Sequence, residues 1–377
     1  MVTLDSLGHR AGARAFVDAE LTPYAAEFDA EQRTPPRTLE RLAQSGVLGA
    51  VVPTTSGGLG CDLRAMSVLH EEVGRACSSV RSLLTVHSMV SWSVLRWAEP
   101  DVRDRWLGLL GRGEILASFC LTEPMAGSDA ASVAATATRR DDGWVLHGQK
   151  RWVTGGQVAG LFLVICRTDR GVSAFLVPRD VPGLCVTPVT GLLGTRASMV
   201  AQVDLDGCAL PADALVGPDG FALPTVIAGA LDIGRLSVAS GCVGLLQACL
   251  DASLDHSARR RPDGVALSDH QLVRRKIADM ATETVAARLL CERAATLKDA
   301  GDPEGTTAVF MAKYFASTAA MRAATEAVQI HGASGCSDGS DVARYFRDAK
   351  VMEIIEGSSE IQQLVIAAAA YRGRSSS

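Results

Sequence analysis

The chain is expected to fold as a multi-domain α+β protein. An N-terminal α-helical domain comes first, a small antiparallel β domain lies in the middle, and a C-terminal four-helix bundle closes the chain. Three observations predict this. Apolar residues recur at steps of three and four up to about residue 115. Between about 116 and 220 they fall into short Val-, Leu- and Phe-rich runs separated by Gly and Pro. From about 221 the helical spacing returns and persists. A length of 377 residues allows two or three packed units, and the expected divisions are 1–115, 116–220 and 221–377.

In the first region, "PRTLERLAQSGVLGA" follows Pro35, places Leu39, Leu42 and Ala43 on one face and ends toward Gly46. "DLRAMSVLHEEVGRA" and "SLLTVHSMVSWSVLRWA" repeat that spacing, and the turn "PTTSGGLGCD" precedes them. In the middle region the runs are "GWVLHGQKRWVTGG", "GLFLVICRT", "VSAFLVPRD" and "AQVDLDGCALP". In the last of these, Val203 and Leu205 alternate with Gln202, Asp204 and Asp206, the period of a half-buried strand. In the third region Val273, Ile277, Met280, Thr284, Ala287 and Cys291 form one helical stripe. Four bundle helices are expected at 229–260, 270–299, 304–332 and 341–372, with the tail "RGRSSS" frayed.

Composition narrows the function. The chain is 47% hydrophobic and 21% charged, with a formal net charge of -5, which is ordinary globular usage. It has no basic block, so nucleic acid is not an expected partner. Lys stands only at 150, 276, 298, 313 and 350; the basic residues are otherwise Arg. The ten Cys form no C-x-x-C pair and the His form no H-x-x-x-H, so no metal is expected and the thiols read as small apolar groups. "MVTLDSLGHR" lacks the charged and apolar blocks of a leader. The longest apolar run, "GLFLVIC", is far short of the ~20 residues of a spanning helix. A cytoplasmic protein without a membrane partner is the expectation.

Several segments could carry chemistry. No G-x-G-x-x-G follows an expected strand, which excludes a Rossmann site. "GCSDG" spells G-x-S-x-G around Ser337, the string of a serine hydrolase, but follows a helical period where a nucleophile elbow requires a strand. "FCLTEPMAGSDAAS" gathers Thr122, Gly127, Ser128 and Asp129 where helices give way to strands. That set suits a flat polar ring or a phosphate, and equally a capped linking loop. In "KRWVTGG", Trp152 and Thr154 are two apart, on one face of a strand, where they could meet a planar cofactor or simply fill the core. Arg235, in "DIGRLSVASGCVG", is expected just before a helix, as a solvated charge or as partner to a carboxylate such as Glu356. Gly241 and Gly244 would let helices approach closely. Glu356 follows two isoleucines and precedes Gly357, as either a helix-end charge or a base kept dry.

Taken together and in order, these segments resemble the acyl-CoA dehydrogenase family of flavoproteins. "TEPMAGSD" is similar to its T-E-P-x-A-G-S-D loop and "KRWVTGG" to its K-x-W-I-T-N-G strand. "AVQIHGASG", "RYFRDAK" and "EIIEGSSEIQ" follow its closing motifs. The resemblance implies FAD lying extended between the β domain and the C-terminal bundle. Phe119, Leu121, Thr122, Gly127, Ser128, Trp152 and Thr154 would surround the flavin ring and ribityl chain. Arg260 and Gln329 would reach the pyrophosphate or adenine end, of a neighbouring subunit's FAD. Ser358 and Glu360 would contact the cofactor. Glu356 would be the general base taking the thioester's α-proton, with hydride passing to flavin N5, and Arg235 would support it. Ile354 and Ile355 would help exclude water. The thioester oxygen would be held by the base's own N–H and a ribityl hydroxyl.

The chain departs from the family pattern at Asp263, where a Phe is usual, and at Ala333, Glu360 and Ile355 in place of Gly, Gln and Tyr. "CSSVRSLLTVHSMVSWSVLRW" and "AKVMEIIEGSSE" are similar to the branch that oxidises short polar acyl groups on an acyl carrier protein for hydroxymalonyl or methoxymalonyl polyketide extender units. The expected partners are therefore an acyl carrier protein or CoA thioester, an unassigned electron acceptor, and further copies of the chain in a homodimer or homotetramer. A catabolic short-chain or branched acyl-CoA dehydrogenase is the alternative. A serine hydrolase at Ser337 and a flavin-free binding module are the rivals of other classes.

Overall fold

The computed structural model describes residue 7 and residues 9–375. Most of "MVTLDSLGHR", and the last two serines of the tail, lie outside the described residues. The first region comprises α1 (Arg10–Glu20), α2 (Ala25–Glu31), α3 (Pro36–Ser45), α4 (Leu63–Ala76), α5 (Ser78–Trp97) and α6 (Pro100–Gly111). Helix α3 starts with Pro at its first position and stops where Gly46 turns left-handed, φ 79°, a conformation that costs glycine least. Asp62 caps α4 by accepting the Ala65 N–H at 2.7 Å.

The middle region is one sheet of β1 (Ala117–Cys120), β2 (Thr136–Arg140), β3 (Gly143–Val153), β4 (Leu161–Thr168), β5 (Gly171–Pro178), β6 (Leu184–Pro188), β7 (Ala201–Pro211) and β8 (Leu215–Val216). The strand order is β6-β7-β3-β2-β4-β5-β8, with β1 also on β4. The sheet is mixed where an antiparallel one was expected: β1 runs parallel to β4, and Thr136 of β2 pairs in parallel with Arg167 of β4. The β2–β3 hairpin intervenes in sequence between β1 and β4, and that crossover brings the chain back in the same direction.

The C-terminal region holds α7 (Ala228–Arg259), α8 (Gln271–Asp299), α9 (Gly305–His331), α10 (Asp341–Ile354) and α11 (Ser359–Ser375). The fourth expected bundle helix is thus two helices. Glu356 (φ 57°) and Gly357 (φ 94°) are left-handed and cannot continue a right-handed helix. Arg235, expected before a helix, lies inside α7. Helix α11 continues through Ser375, where fraying was expected. On α8 the stripe residues Met280, Thr284, Ala287 and Cys291 are buried, and Val273 and Ile277 are half-buried.

Helix α7 is the centre of the bundle. By length and composition the stretch Leu223–Arg259 could cross a membrane, contrary to the reading from apolar runs, but 83% of its most apolar window is buried inside the protein. Its glycines set how closely α4 can approach. A Cβ on Gly74 would lie 2.5 Å from the Gly241 Cα, and one on Gly244 would lie 2.5 Å from the Arg75 N. Helix α10 is tied to distant segments. Arg344 donates to the Ala76 carbonyl (2.9 Å), Asp348 accepts the Thr195 N–H (2.6 Å), and Arg347 pairs with Asp29. The stretch from Arg344 to Asp348 therefore fixes α10 against both the helical region and the loop between β6 and β7.

Gly244→Val is expected to destabilise the protein by about 1–3 kcal/mol or more, since the added atoms meet backbone on α4. A denaturant melt measures this; an unchanged midpoint would contradict the packing described.

Candidate active site

The break between α10 and α11 presents Glu356. A non-glycine residue at φ 57° costs about 1–3 kcal/mol unless its surroundings enforce it. Here three side chains from three helices do so. Arg235 Nε of α7 donates to the Glu356 carbonyl at 3.2 Å. Gln362 Nε2 of α11 donates to the Glu356 and Gly357 carbonyls at 3.1 and 3.0 Å. Lys313 Nζ of α9, on a side chain with no exposure, donates to the Gly357 and Glu353 carbonyls at 2.8 and 3.2 Å. Every orphan carbonyl of the break that these groups reach is answered, four of the five bonds being about 3 Å or longer but all within hydrogen-bond range.

The carboxyl group of Glu356 points inward. Its Oε2 is shut off from solvent and has no hydrogen-bond partner. It lies over Gly234 of α7, where an added Cβ would come within 2.6 Å of the Glu356 Cδ. Only glycine leaves that seat open. Burial pushes the carboxyl pKa above its ordinary value, and Arg235, Arg81 and Lys313 pull against the shift. Arg235 does not pair with this carboxylate directly. Its Nη1 lies 3.3 Å from Asp232 Oδ1, and its guanidinium stacks 4.1 Å from the Phe310 ring centre. Asp232 also receives Lys298 Nζ at 2.7 Å. Of the two isoleucines, only Ile355 packs on the core; Ile354 is 59% exposed. Water exclusion by both is thus corrected to Ile355 alone, because α10 ends with Ile354 on its outer face.

A second group gathers at the sheet. Phe119 is buried in β1, Leu121 and Thr122 are half-buried just past its end, and Gly127 and Ser128 lie on the exposed loop beyond. Trp152 is 57% exposed. The pairing of β3 with β7 shifts register between Lys150 and Val153, Trp152 has φ 56°, and Thr154 lies beyond the strand. Simple alternation therefore does not place Trp152 and Thr154 on one face; a bulge re-aims the indole. What holds this loop is a pair the sequence reading passed over. Glu123 and Lys150, both buried, meet at 2.6 Å. Glu123 also accepts the Ala134 and Ala135 N–H groups, and Lys150 donates to the Leu121 carbonyl. Burial works against the Glu123 charge, but Lys150 and the two amides prevail and hold its pKa below the usual range. The T-E-P and K-x-W strings are thus two halves of one clamp.

A third group lies at the far end of α7. Arg260 follows its last turn and Gln329 lies near the end of α9, both exposed. Arg260 borders a cleft of ≈ 630 Å³ with Arg259, His256 and His331. Ser358 is half-buried in the break, and its hydroxyl hydrogen-bonds Glu360 at the start of α11, lowering that carboxyl's pKa. Ser337 closes a turn after the short helix Gly332–Cys336, with its hydroxyl donating to the Ser334 carbonyl. No strand precedes it, so the nucleophile elbow is absent there.

The donor set fits an extended flavin dinucleotide. Open backbone at Gly127, where an added Cβ would meet nothing within 4 Å, adjoins hydroxyls and an exposed indole, and guanidinium groups border the distant cleft. Lys313, Gly234, Gln362 and Arg81 were not singled out from sequence. A faint signal existed for one of them: in a chain with only five Lys, the buried Lys150 and Lys313 have reasons to be Lys and not Arg.

Known proteins match nearly all of the chain. The acyl-CoA dehydrogenase N-terminal, middle and C-terminal domain models match residues 6–114, 118–208 and 223–371. The mitochondrial short-chain specific acyl-CoA dehydrogenase of Mus musculus is 37% identical over 364 residues, 95% of this chain and 88% of that protein. Among solved structures, FkbI, described as for biosynthesis of the methoxymalonyl extender unit of the FK520 polyketide, is 35% identical. Its TM-score is 0.89, with 96% of this chain and 99% of that one covered. The prolyl acyl carrier protein oxidase AnaB is 26% identical with a TM-score of 0.91, covering 96% and 97%.

Two outcomes are expected. Lys150→Met leaves Glu123 buried without its cation, at a cost of about 3–5 kcal/mol. Bound flavin per polypeptide, read by absorbance, should fall together with the melting temperature. Lys313→Met removes a positive charge that lowers the Glu356 pKa. The acid limb of kcat/KM, which reports deprotonation of the base in the free enzyme, should therefore move to higher pH. An acid limb that stays in place would show that Lys313 does not act on Glu356.

Proposed function

From a chain that belongs to the acyl-CoA dehydrogenase family, FAD-dependent oxidoreductases acting on acyl thioesters, we propose an enzyme that oxidises a short polar acyl group carried on an acyl carrier protein, in the making of a hydroxymalonyl-type extender unit. The observation that carries the chemistry is the solvent-shielded, unpartnered Oε2 of Glu356, seated over Gly234. A carboxylate so placed has a free lone pair and a raised pKa, which suits it to take a weakly acidic α-proton. FAD, when bound, supplies the two-electron acceptor for the hydride that leaves the substrate.

The protein's own part is positioning. Arg235, Gln362 and Lys313 fix the backbone on which the base rides, and Gly234 fixes the depth of its carboxyl group. Phe119, Leu121, Thr122, Gly127, Ser128, Trp152 and Thr154 would hold the ring and ribityl end, through the loop that Glu123 and Lys150 clamp. Arg260 and Gln329 would hold the pyrophosphate or adenine end from a neighbouring subunit, which makes a homodimer or homotetramer part of this reading. Ser358 and Glu360 would meet the cofactor beside the base.

The choice of carrier is supported by similarity to FkbI over nearly all of both chains and by AnaB, whose descriptions name extender-unit biosynthesis and an acyl carrier protein substrate. The 37% identity to short-chain acyl-CoA dehydrogenases supports the alternative, a catabolic enzyme with the same base.

Glu356→Gln should keep FAD and lose at least about 100-fold in kcat, since it keeps shape and removes the base. Full turnover in that variant refutes the assignment. Presenting one glyceryl-type acyl group on a carrier protein and on CoA should give the higher kcat/KM with the carrier. Faster flavin bleaching by butyryl-CoA than by either would favour the alternative.

A further inference from the structure

His87 stands in the middle of α5 with no exposed surface. Both ring nitrogens are engaged, and each reaches a different element. Nδ1 accepts the N–H of Ala117, the first residue of β1, at 3.2 Å. A nitrogen that accepts carries no proton, so the proton of the neutral ring is on Nε2. That nitrogen donates to the Leu110 carbonyl, near the end of α6, at 3.1 Å. Burial pushes the imidazole pKa down to about 4, against the pull of the Leu110 carbonyl. The ring is therefore neutral, with one tautomer and one orientation. Of the α5 side chains, only Ser79 and His87 hydrogen-bond the middle region among the described residues. Ser79 does so by accepting the Ala197 N–H, in the loop before β7.

The two sides of this joint lead to the two halves of the reaction. Two residues on along α5, about 3 Å of axis, Met89 lies over Gly234 beside the Glu356 carboxyl group. Helix α7, which seats that group, is held to α5 by Thr85 and Ser237, 2.6 Å apart. Two residues on along β1, about 7 Å of strand, is Phe119, with Leu121 and Thr122 just beyond. This path is held at each step. Ser118 Oγ donates to the Thr154 carbonyl at 2.8 Å, Lys150 Nζ to the Leu121 carbonyl at 3.2 Å, and the Arg151 N–H to the Thr122 carbonyl at 2.8 Å. A shift at His87 is therefore passed on to the gap between the base and the end of β1. That gap matters because an α-proton and a hydride leave neighbouring carbons toward opposite sides. Reacting atoms must come within about 3–3.5 Å, and a misplacement of about 1 Å can cost about 100-fold.

We propose that His87 is a positioning residue for the oxidation: it sets the separation between the Glu356 carboxyl group and the end of β1, where the flavin ring would lie. The proposal rests on the reading of Glu356 as base and of Phe119, Leu121 and Thr122 as neighbours of the flavin. A leucine at 87 would fill the space and leave the buried Ala117 N–H without its acceptor. An asparagine keeps an acceptor close to the place of Nδ1.

The test compares flavin-loaded wild-type protein with His87→Leu and His87→Asn. Flavin bleaching is followed in single turnovers with glyceryl- and butanoyl-pantetheine, and the substrate that bleaches the wild type faster is used for the variants. A second reading is the long-wavelength absorbance that acetoacetyl-pantetheine gives as its enolate stacks on the flavin, which depends on the spacing of base and ring. His87→Leu is expected to lower the saturating bleaching rate per bound flavin at least about 10-fold, leave the half-saturating concentration within about 2-fold, and weaken the long-wavelength band. His87→Asn should recover most of the rate and the band. An unchanged rate and band per bound flavin in His87→Leu overturn the proposal, since its whole effect is then on folding. So does an asparagine variant no better than the leucine one. Should His87→Leu fail to fold, His87→Gln, which moves the acceptor by one bond, takes its place; a rate and band per flavin equal to those of His87→Asn then sink the idea. The base assignment is separable: full turnover by Glu356→Gln would refute it whatever the His87 variants do.

Discussion

The site depends on one interrupted helix. Between Ile354 and Ser359 the chain leaves helical geometry with two consecutive left-handed residues, one of them a glutamate. A continuous helix would carry Glu356 around the helix surface and leave it no inward seat. The break turns its carboxyl group onto α7 and leaves backbone carbonyls without helical partners. Those carbonyls are the handles by which α7, α9 and α11 grip the loop. The strain and the bonds that offset it therefore belong to one device, in which the bonds satisfy the backbone and fix the base.

That device also sets the electrostatics. Two of the three gripping side chains, Arg235 and Lys313, are cationic, so groups chosen for backbone carbonyls necessarily act on the carboxylate as well. Burial and cations oppose one another at Glu356, and burial prevails. The same positive field favours negative charge developing on a bound thioester. Lys313 shares in the compromise: burial lowers its own pKa to about 8, because its partners are carbonyls and not a full negative charge.

Much of the fold was legible because periodicity reports burial directly. The stripe on α8, the Gly46 stop of α3 and the four strand runs all follow from local chemistry. The misreadings have physical causes. The parallel pairing of β1 with β4 is a long-range fact that no strand carries in its own pattern. The break in the last helix leaves a helical period on both sides, so "VMEIIEGSSEIQQL" reads as continuous until the backbone of Glu356 is seen. Arg235 looked like a helix-end charge because small residues follow it, yet glycines here mark close helix crossing. At the site, residues inside distinctive strings could be singled out, whereas Lys313 acts on backbone and Gly234 leaves space, which no short string records; Glu123 and Lys150 each stand in a quoted string, but only the fold brings them together.

The substitution of Asp at 263 fits this backbone in a way the usual Phe would not. Asp263 has φ 53°, a left-handed conformation that Asp adopts at lower cost than a bulky aromatic. In the proposed placement of the cofactor, the turn after α7 would therefore offer no ring to its far end. The neighbouring cleft supplies rings from other positions: His256 and His331 lie 4.2 Å apart between centroids, and both line it. Burial, together with His331, Arg260 and Arg259, depresses the His256 pKa, which favours a neutral imidazole there. Flat surface and fixed positive charge, usually shared between an Arg and a Phe of one motif, are here divided between a pair of histidines and a pair of arginines at the same end of the bundle.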